Sequence, residues 1–262
     1  MTRIIRAELI RLLRRRTIVV LAAGAVVFAL VATLDVFSSA TATGATALRG
    51  GTTLASLAGT GGGTQAFAVG ASFLGFFVFV TFIALIATEF SGGTFRALLL
   101  RNPHRLRVIA GKLAGLLLVA AAVVALAETV TFAMSLAVAP GKHVATSDWF
   151  SLQSVGAGLR DYATVLGGVA GWAVFGTTLG VVFRSAPLAL GVGFAWAGPF
   201  ENIVVDSWKA GYRFFPGQVL ASLIRGGTAD LGLGRAALTA VLYAGVAAAA
   251  TLVLVSRRDV TA

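Results

Sequence analysis

The sequence predicts an all-α polytopic membrane protein of six transmembrane helices with both ends in the cytoplasm. Three observations carry that prediction. Of 262 residues, 58% are hydrophobic and only 12% are charged. The mean hydropathy is +0.91. Apolar runs long enough to cross lipid alternate with segments whose basic residues concentrate on one side. Such a chain needs hydrocarbon as the solvent for its surface. No stretch outside the runs is long or apolar enough to bury a second core, so residues 1–262 read as one membrane domain. The formal charge of +11 does not point to nucleic acid, because the Lys and Arg residues lie between apolar spans and not on a polar surface. With no cysteine in the chain, disulfides, thiol nucleophiles and thiolate metal sites are excluded.

Residues 3–16, RIIRAELIRLLRRR, place Ile5, Leu9, Leu12 and Leu13 on one helical face and Arg3, Arg11 and Arg14 on roughly the opposite one. This pattern predicts a basic amphipathic helix at the membrane surface over residues 1–16. The first span follows, Thr17 to Val36. An Arg-rich start, an apolar stretch and Ala40-Thr41-Ala42 also fit a cleavable signal peptide. However, Thr17 to Leu34 is 18 residues, longer than the roughly 7–15 of a signal core, which favours a retained helix. The outer loop 38–65, with Gly61-Gly62-Gly63, offers little to pack and is expected to be flexible. The second span is Ala66 to Thr88 and the third Leu113 to about Ala139. The fourth, Tyr162 to Phe183, carries Gly167-x-x-x-Gly171 and Gly176-x-x-x-Gly180, a spacing that lets another helix approach closely. Ala186 to Phe200 is apolar but only 15 residues long, with Pro187 and Pro199 near its ends, so it must borrow Glu201 to Val205 or kink. Residues 201–235 mix Trp208, Tyr212, Phe214, Phe215 and Leu220 with Lys209, Arg213 and Arg225, which suits helices lying at the outer interface. Ala236 to Val255 is the sixth span.

Orientation follows from the basic residues. The N-terminus, the 89–112 segment, Arg184 and the C-terminus together hold fourteen of the 21 Lys and Arg residues, so this set is the cytoplasmic one. Six spans with both termini inside are consistent with that alternation.

The cytoplasmic segment 89–112, EFSGGTFRALLLRNPHRLRVIAGK, is the most informative. Gly92-Gly93 breaks the second span, Thr94 can cap a new helix, and Phe95, Leu98 and Leu99 give it an apolar face before Pro103 stops it. A short amphipathic helix here is placed to dock in a groove of a soluble partner. The run Glu89-x-x-x-Gly93-Thr94-x-Arg96-x-Leu98-Leu99, then Pro103-x-Arg105, then Gly111-Lys112-Leu113, resembles the first cytoplasmic loop of the ABC-2 type transporter permeases. The basic N-terminal helix, the six spans, Gly180 with Arg184-Ser185, and the long outer segment before the sixth span extend the resemblance over the chain. It implies a type V exporter-like permease in which the 89–104 segment is a coupling helix on a separate ATP-binding subunit. By the same resemblance Glu89, Gly93, Thr94, Phe95, Arg96, Leu99, Leu100 and Arg101 would contact that subunit, and a second permease protomer would complete the pathway.

No enzyme chemistry is legible. Gly111-Lys112-Leu113 and Gly141-Lys142-His143 lack the glycine spacing and the Ser/Thr of a phosphate-binding loop, so ATP and magnesium are expected in the partner and no cofactor in this chain. His104 and His143 fall in loops on opposite sides, and neither HExxH nor GxSxG occurs. Glu128 reads as the sole carboxylate well inside an apolar span, about 22 Å along its helix. It is either a pathway residue or a side chain reaching outer headgroups. A secondary transporter or a membrane scaffold is the alternative reading. The first would need several intramembrane ionisable groups, and the second would need no coupling helix.

Overall fold

A computed structural model of the chain describes residues 2–40, 52–95, 98 and 104–257. Among these residues there are helices and no strands, and six helical segments are long and apolar enough to cross a membrane. The first span is Arg15–Ser39 and the second Gly62–Ser91. The third is Arg105–Val138, the fourth Leu152–Phe183, the fifth Ala186–Ser207 and the sixth Leu233–Arg257. This is the build of a multi-pass membrane protein.

Several helices outrun their apolar cores, and the charged residues in their added turns find partners inside the protein. The third helix begins at Arg105 and not at Leu113, because Lys112 is neutralised inside the protein and does not stop the helix. The fourth begins at Leu152, ahead of Arg160 and Asp161, with the Ser151 side chain accepting from the Ser154 amide as its N-cap. The fifth does borrow its end. Ala186–Ala195 runs into a π-turn, Trp196–Phe200, that contains Pro199, and Glu201–Ser207 completes 22 residues. Proline has no amide hydrogen and its ring crowds the carbonyl four residues back, so the helix widens at this turn.

The fourth span sits at the centre, against the second. At Gly176 a Cβ would lie 2.8 Å from the Phe79 carbonyl, and at Gly180 it would press on Ile86, so small residues here set the helix separation. Phe79, Ile83, Val169 and Trp172 form the core of this contact, with the Phe79 and Trp172 rings 5.0 Å apart.

The segment between the fifth and sixth spans departs from expectation. Trp208 and Phe214 remain exposed, as an interfacial belt requires. Pro216–Ile224, however, does not lie on the surface. It dips into the bundle, with Val219, Leu220 and Ile224 fully buried. Gly168 and Gly171 of the fourth span make room for Ile224 and Leu220. The helix ends in a Schellman turn, where the Gly227 amide bonds the Ser222 carbonyl at 2.8 Å and the Gly226 amide bonds Leu223 at 3.0 Å. Gly226 and Gly227 have φ of 73° and 103°, conformations that suit glycine, and they turn the chain toward the last span.

The expected flexibility of loop 38–65 is also corrected in part. Leu54–Ala58 is a helix closed by a Thr53/Ser56 capping box. Leu57 is fully buried, and the Trp149 indole donates to its carbonyl at 2.8 Å. The stretch 41–51 lies outside the described residues.

The two ends of the bundle are distinct. One gathers Ile86, Phe95, Val108, Val181 and Val255, together with the N-terminal helix Thr2–Leu12. The other gathers Val36, Phe37, Leu57, Ala139 and Trp149.

Candidate functional site

At the end that carries the N-terminus, three elements meet around charge. The buried face of the N-terminal helix is centred on Glu8, flanked by the partly buried Ile5, Leu9 and Leu12 of the face that periodicity suggested; Leu13 is exposed beyond the helix end. Ile4 lies against Gly111 and the Glu8 side chain against Gly115, so two glycines of the third span form the seat. Lys112 Nζ sits 3.1 Å from Glu8 Oε1 and 2.6 Å from Glu89 Oε1. Arg11 closes the ring at 2.9 Å from Glu8 and 3.3 Å from Glu89. Two cations and two anions cancel, and Lys112 is buried among them. Each group would cost several kcal/mol alone in this environment, and the pairing offsets that cost.

The second span ends beside this cluster. Gly93 has a φ of 68°, which reverses the chain, and the Thr94 hydroxyl donates to the Glu89 carbonyl at 3.1 Å. Phe95 then folds back, its ring 4.4 Å from that of Phe90, over which the Arg184 guanidinium stands at 5.5 Å. Two expectations drawn from the resemblance change here. Glu89 and Phe95, read as facing a soluble subunit, point inward, Glu89 to Lys112 and Phe95 into the core at 3% exposure. Thr94 is already helical and bonds backward, so it is no N-cap. Leu98 is exposed. Arg96, Leu99, Leu100 and Arg101 lie outside the described residues.

Carboxylates mark the other half of the molecule. Glu128 is half-buried with an oxygen against Gly158, three residues before Asp161 on the fourth span. Asp161 Oδ2 accepts from the Thr64 hydroxyl at 2.7 Å. Glu201 is fully buried. One oxygen accepts from the Trp196 indole at 2.7 Å, and the other faces Gly217 in the first turn of Pro216–Ile224. Glu128 is therefore not the sole carboxylate within a span. Asp161 was missed because the fourth helix starts ten residues before the predicted Tyr162. Glu201 was named only as borrowed length, although the need to borrow an acid was itself the signal. Among the described residues no group of three His, Asp or Glu is placed to hold a metal ion, and His104 and His143 stand at opposite ends.

A family model described as a protein of unknown function (DUF2705) matches residues 45–260. No curated protein matches the chain.

Proposed function

We propose that this chain, which belongs to the DUF2705 family, is the transmembrane permease subunit of an ATP-driven exporter in the bacterial cytoplasmic membrane, with both termini inside. It would form part of the substrate pathway and couple to a separate ATP-binding subunit, where ATP and magnesium bind. A second permease protomer, identical or not, would complete the pathway. The observation that carries the reading is the ionic seat around Lys112. The last turn of the second span, where the segment whose pattern resembles a coupling loop begins, is tied by Glu89 to Lys112 of the third span, which also holds Glu8 of the N-terminal helix. A load applied to that segment by a soluble ATPase would reach three elements at once, as coupling requires.

Because Phe95 is a core residue, Phe95→Ala would lower stability and docking together and separate nothing. Among the described residues of the segment, Leu98 is apolar and exposed, and it is the better probe. We expect the chain, purified from native membranes, to carry an ATP-binding cassette subunit, and Leu98→Asp to strip that subunit while the melting temperature holds. Arg257→Ala should do neither. Purification without an ATP-binding subunit, or unaltered binding in Leu98→Asp, would contradict the proposal.

Topology has its own check. The chain has no cysteine, so single cysteines at His104, Ala55 and Asp148, all exposed, report without background. Labelling from the cytoplasm is expected at 104 and from outside at 55 and 148. The reverse pattern would remove the orientation and the coupling argument together.

Three carboxylates within spans, Glu128, Asp161 and Glu201, favour a second reading, a secondary transporter driven by an ion gradient. Glu128→Gln discriminates. If the chain couples to ATP, the variant should alter substrate-stimulated hydrolysis by the intact complex. If it runs on a gradient, transport should persist without nucleotide in the wild type and fail in Glu128→Gln.

A further inference from the structure

At the end of the bundle away from the N-terminal helix, the start of the second span, the first turns of the fourth and the turn after Pro216–Ile224 enclose an open cleft of about 450 Å³. That is in the range of small-molecule sites, roughly 300–1,000 Å³. Its polar wall is formed by Ser56, Thr60, Gln65, Asp161, Arg225 and Thr228. Two of these carry opposite charge, and both are held in place. Asp161 is anchored by the Thr64 hydroxyl at 2.7 Å, and Arg225 Nε donates to Ser72 Oγ at 3.0 Å. Arg160, the neighbour of Asp161, is itself engaged, its guanidinium donating to the Gly226 carbonyl at 3.2 Å.

From this geometry we propose that the cleft binds a zwitterionic phosphoester head group of the ethanolamine phosphate type, its ammonium toward Asp161 and its phosphate toward Arg225. A carboxylate favours a cation, and a guanidinium is the side chain whose planar fork best matches a phosphate. The hydroxyls of Ser56 and Thr60 and the amide of Gln65 suit the glycerol oxygens beyond the phosphate. The cleft is open at one end of the bundle, so such a ligand can arrive as a lipid or as a free solute. The inference concerns the opposite end from the ATPase contact and does not depend on it.

The test is titration calorimetry of glycerophosphoethanolamine into the full chain, purified in a maltoside detergent. Losing one charge-assisted contact should weaken binding by about tenfold, so Asp161→Asn is expected to raise Kd by that factor. Ala229→Trp is the variant that leaves the core alone. Ala229 lines the cleft from an exposed turn, so the indole should occupy the space and abolish binding with an unchanged melting temperature. Glycerophosphate and ethanolamine, each offering half of the charge pattern, should bind more weakly than the zwitterion. Repeating the titration in nanodiscs separates the sources. Competition by phosphatidylethanolamine but not phosphatidylglycerol assigns the site to lipid, and undiminished binding in both assigns it to a solute. Absence of binding to the wild type, equal binding of glycerophosphate, or an unchanged Kd in Ala229→Trp would overturn the proposal.

Discussion

Lys112→Ala is expected to lower the stability of the protein by about 3–5 kcal/mol, the usual cost of removing one partner from a buried ion pair. The loss of packing is the smaller part. Glu8 and Glu89 share Lys112 at 3.1 and 2.6 Å, and without it two carboxylates on different helices face each other with only Arg11 between them. Arg11 is a weak substitute, because its side chain is 44% exposed. By the same reasoning Arg11→Ala should cost no more than about 1 kcal/mol, the range of exposed pairs. Thermal unfolding in detergent, followed by size-exclusion chromatography, would show the ranking. A companion variant separates charge from packing. Lys112→Met combined with Glu8→Gln and Glu89→Gln replaces the buried ions by neutral groups of similar volume, and such replacements are often neutral or stabilising. It should recover most of the loss. Equal melting temperatures for Lys112→Ala and Arg11→Ala would show that the cluster does not hold the N-terminal helix to the bundle.

The same cluster explains why the spans were legible and their ends were not. Runs of apolar residues marked the six helices that are long and apolar enough to cross a membrane, because lipid contact imposes composition along the whole length of a helix. Lys112 and Arg160–Asp161 look like boundaries to any rule that stops at a charge, since the groups that accommodate them, Glu8 at one end and Thr64 at the other, are distant in sequence. The N-terminal helix shows the converse. Its periodicity was right, but the centre of its buried face is an acid, which an apolar count places outside.

Pro216–Ile224 was read as interfacial for a related reason. Nine residues, about 13 Å of helix, are too few to span, so length alone assigns them to the surface. What buries them is the pair of small residues Gly168 and Gly171 some fifty positions earlier. The spacing singled out Gly167 with Gly171 and so found the close contact one residue off. At the candidate coupling segment the glycine break was legible because Gly93 must take a positive φ. The inward turn of Glu89 and Phe95 was not, because it depends on Lys112 and Phe90 as partners and not on the local pattern.

Glu201 offers the second large effect. Glu201→Leu should release the helix Pro216–Ile224 from the bundle, because the leucine fills the volume but accepts no hydrogen bond. The Trp196 indole N–H, now 2.7 Å from the carboxylate, would be left without its acceptor. The other carboxylate oxygen faces Gly217 in the first turn of the helix, and leucine puts an apolar methyl in its place. A buried donor left unsatisfied costs about 1–3 kcal/mol, which sets the scale of the loss at Trp196. An acid at the N-terminus of a helix also meets the positive end of its dipole, an interaction that leucine abolishes. Glu201→Gln keeps an acceptor for Trp196 at nearly constant shape and should be the milder variant. The readout follows from burial. Val219 is fully buried on that helix, so Val219→Cys in the otherwise cysteine-free chain should resist a water-soluble maleimide in the wild-type background. It should label rapidly when combined with Glu201→Leu and slowly with Glu201→Gln. If Val219→Cys stays protected in the Glu201→Leu background and the melting temperature does not fall, the carboxylate is not what holds this helix in place.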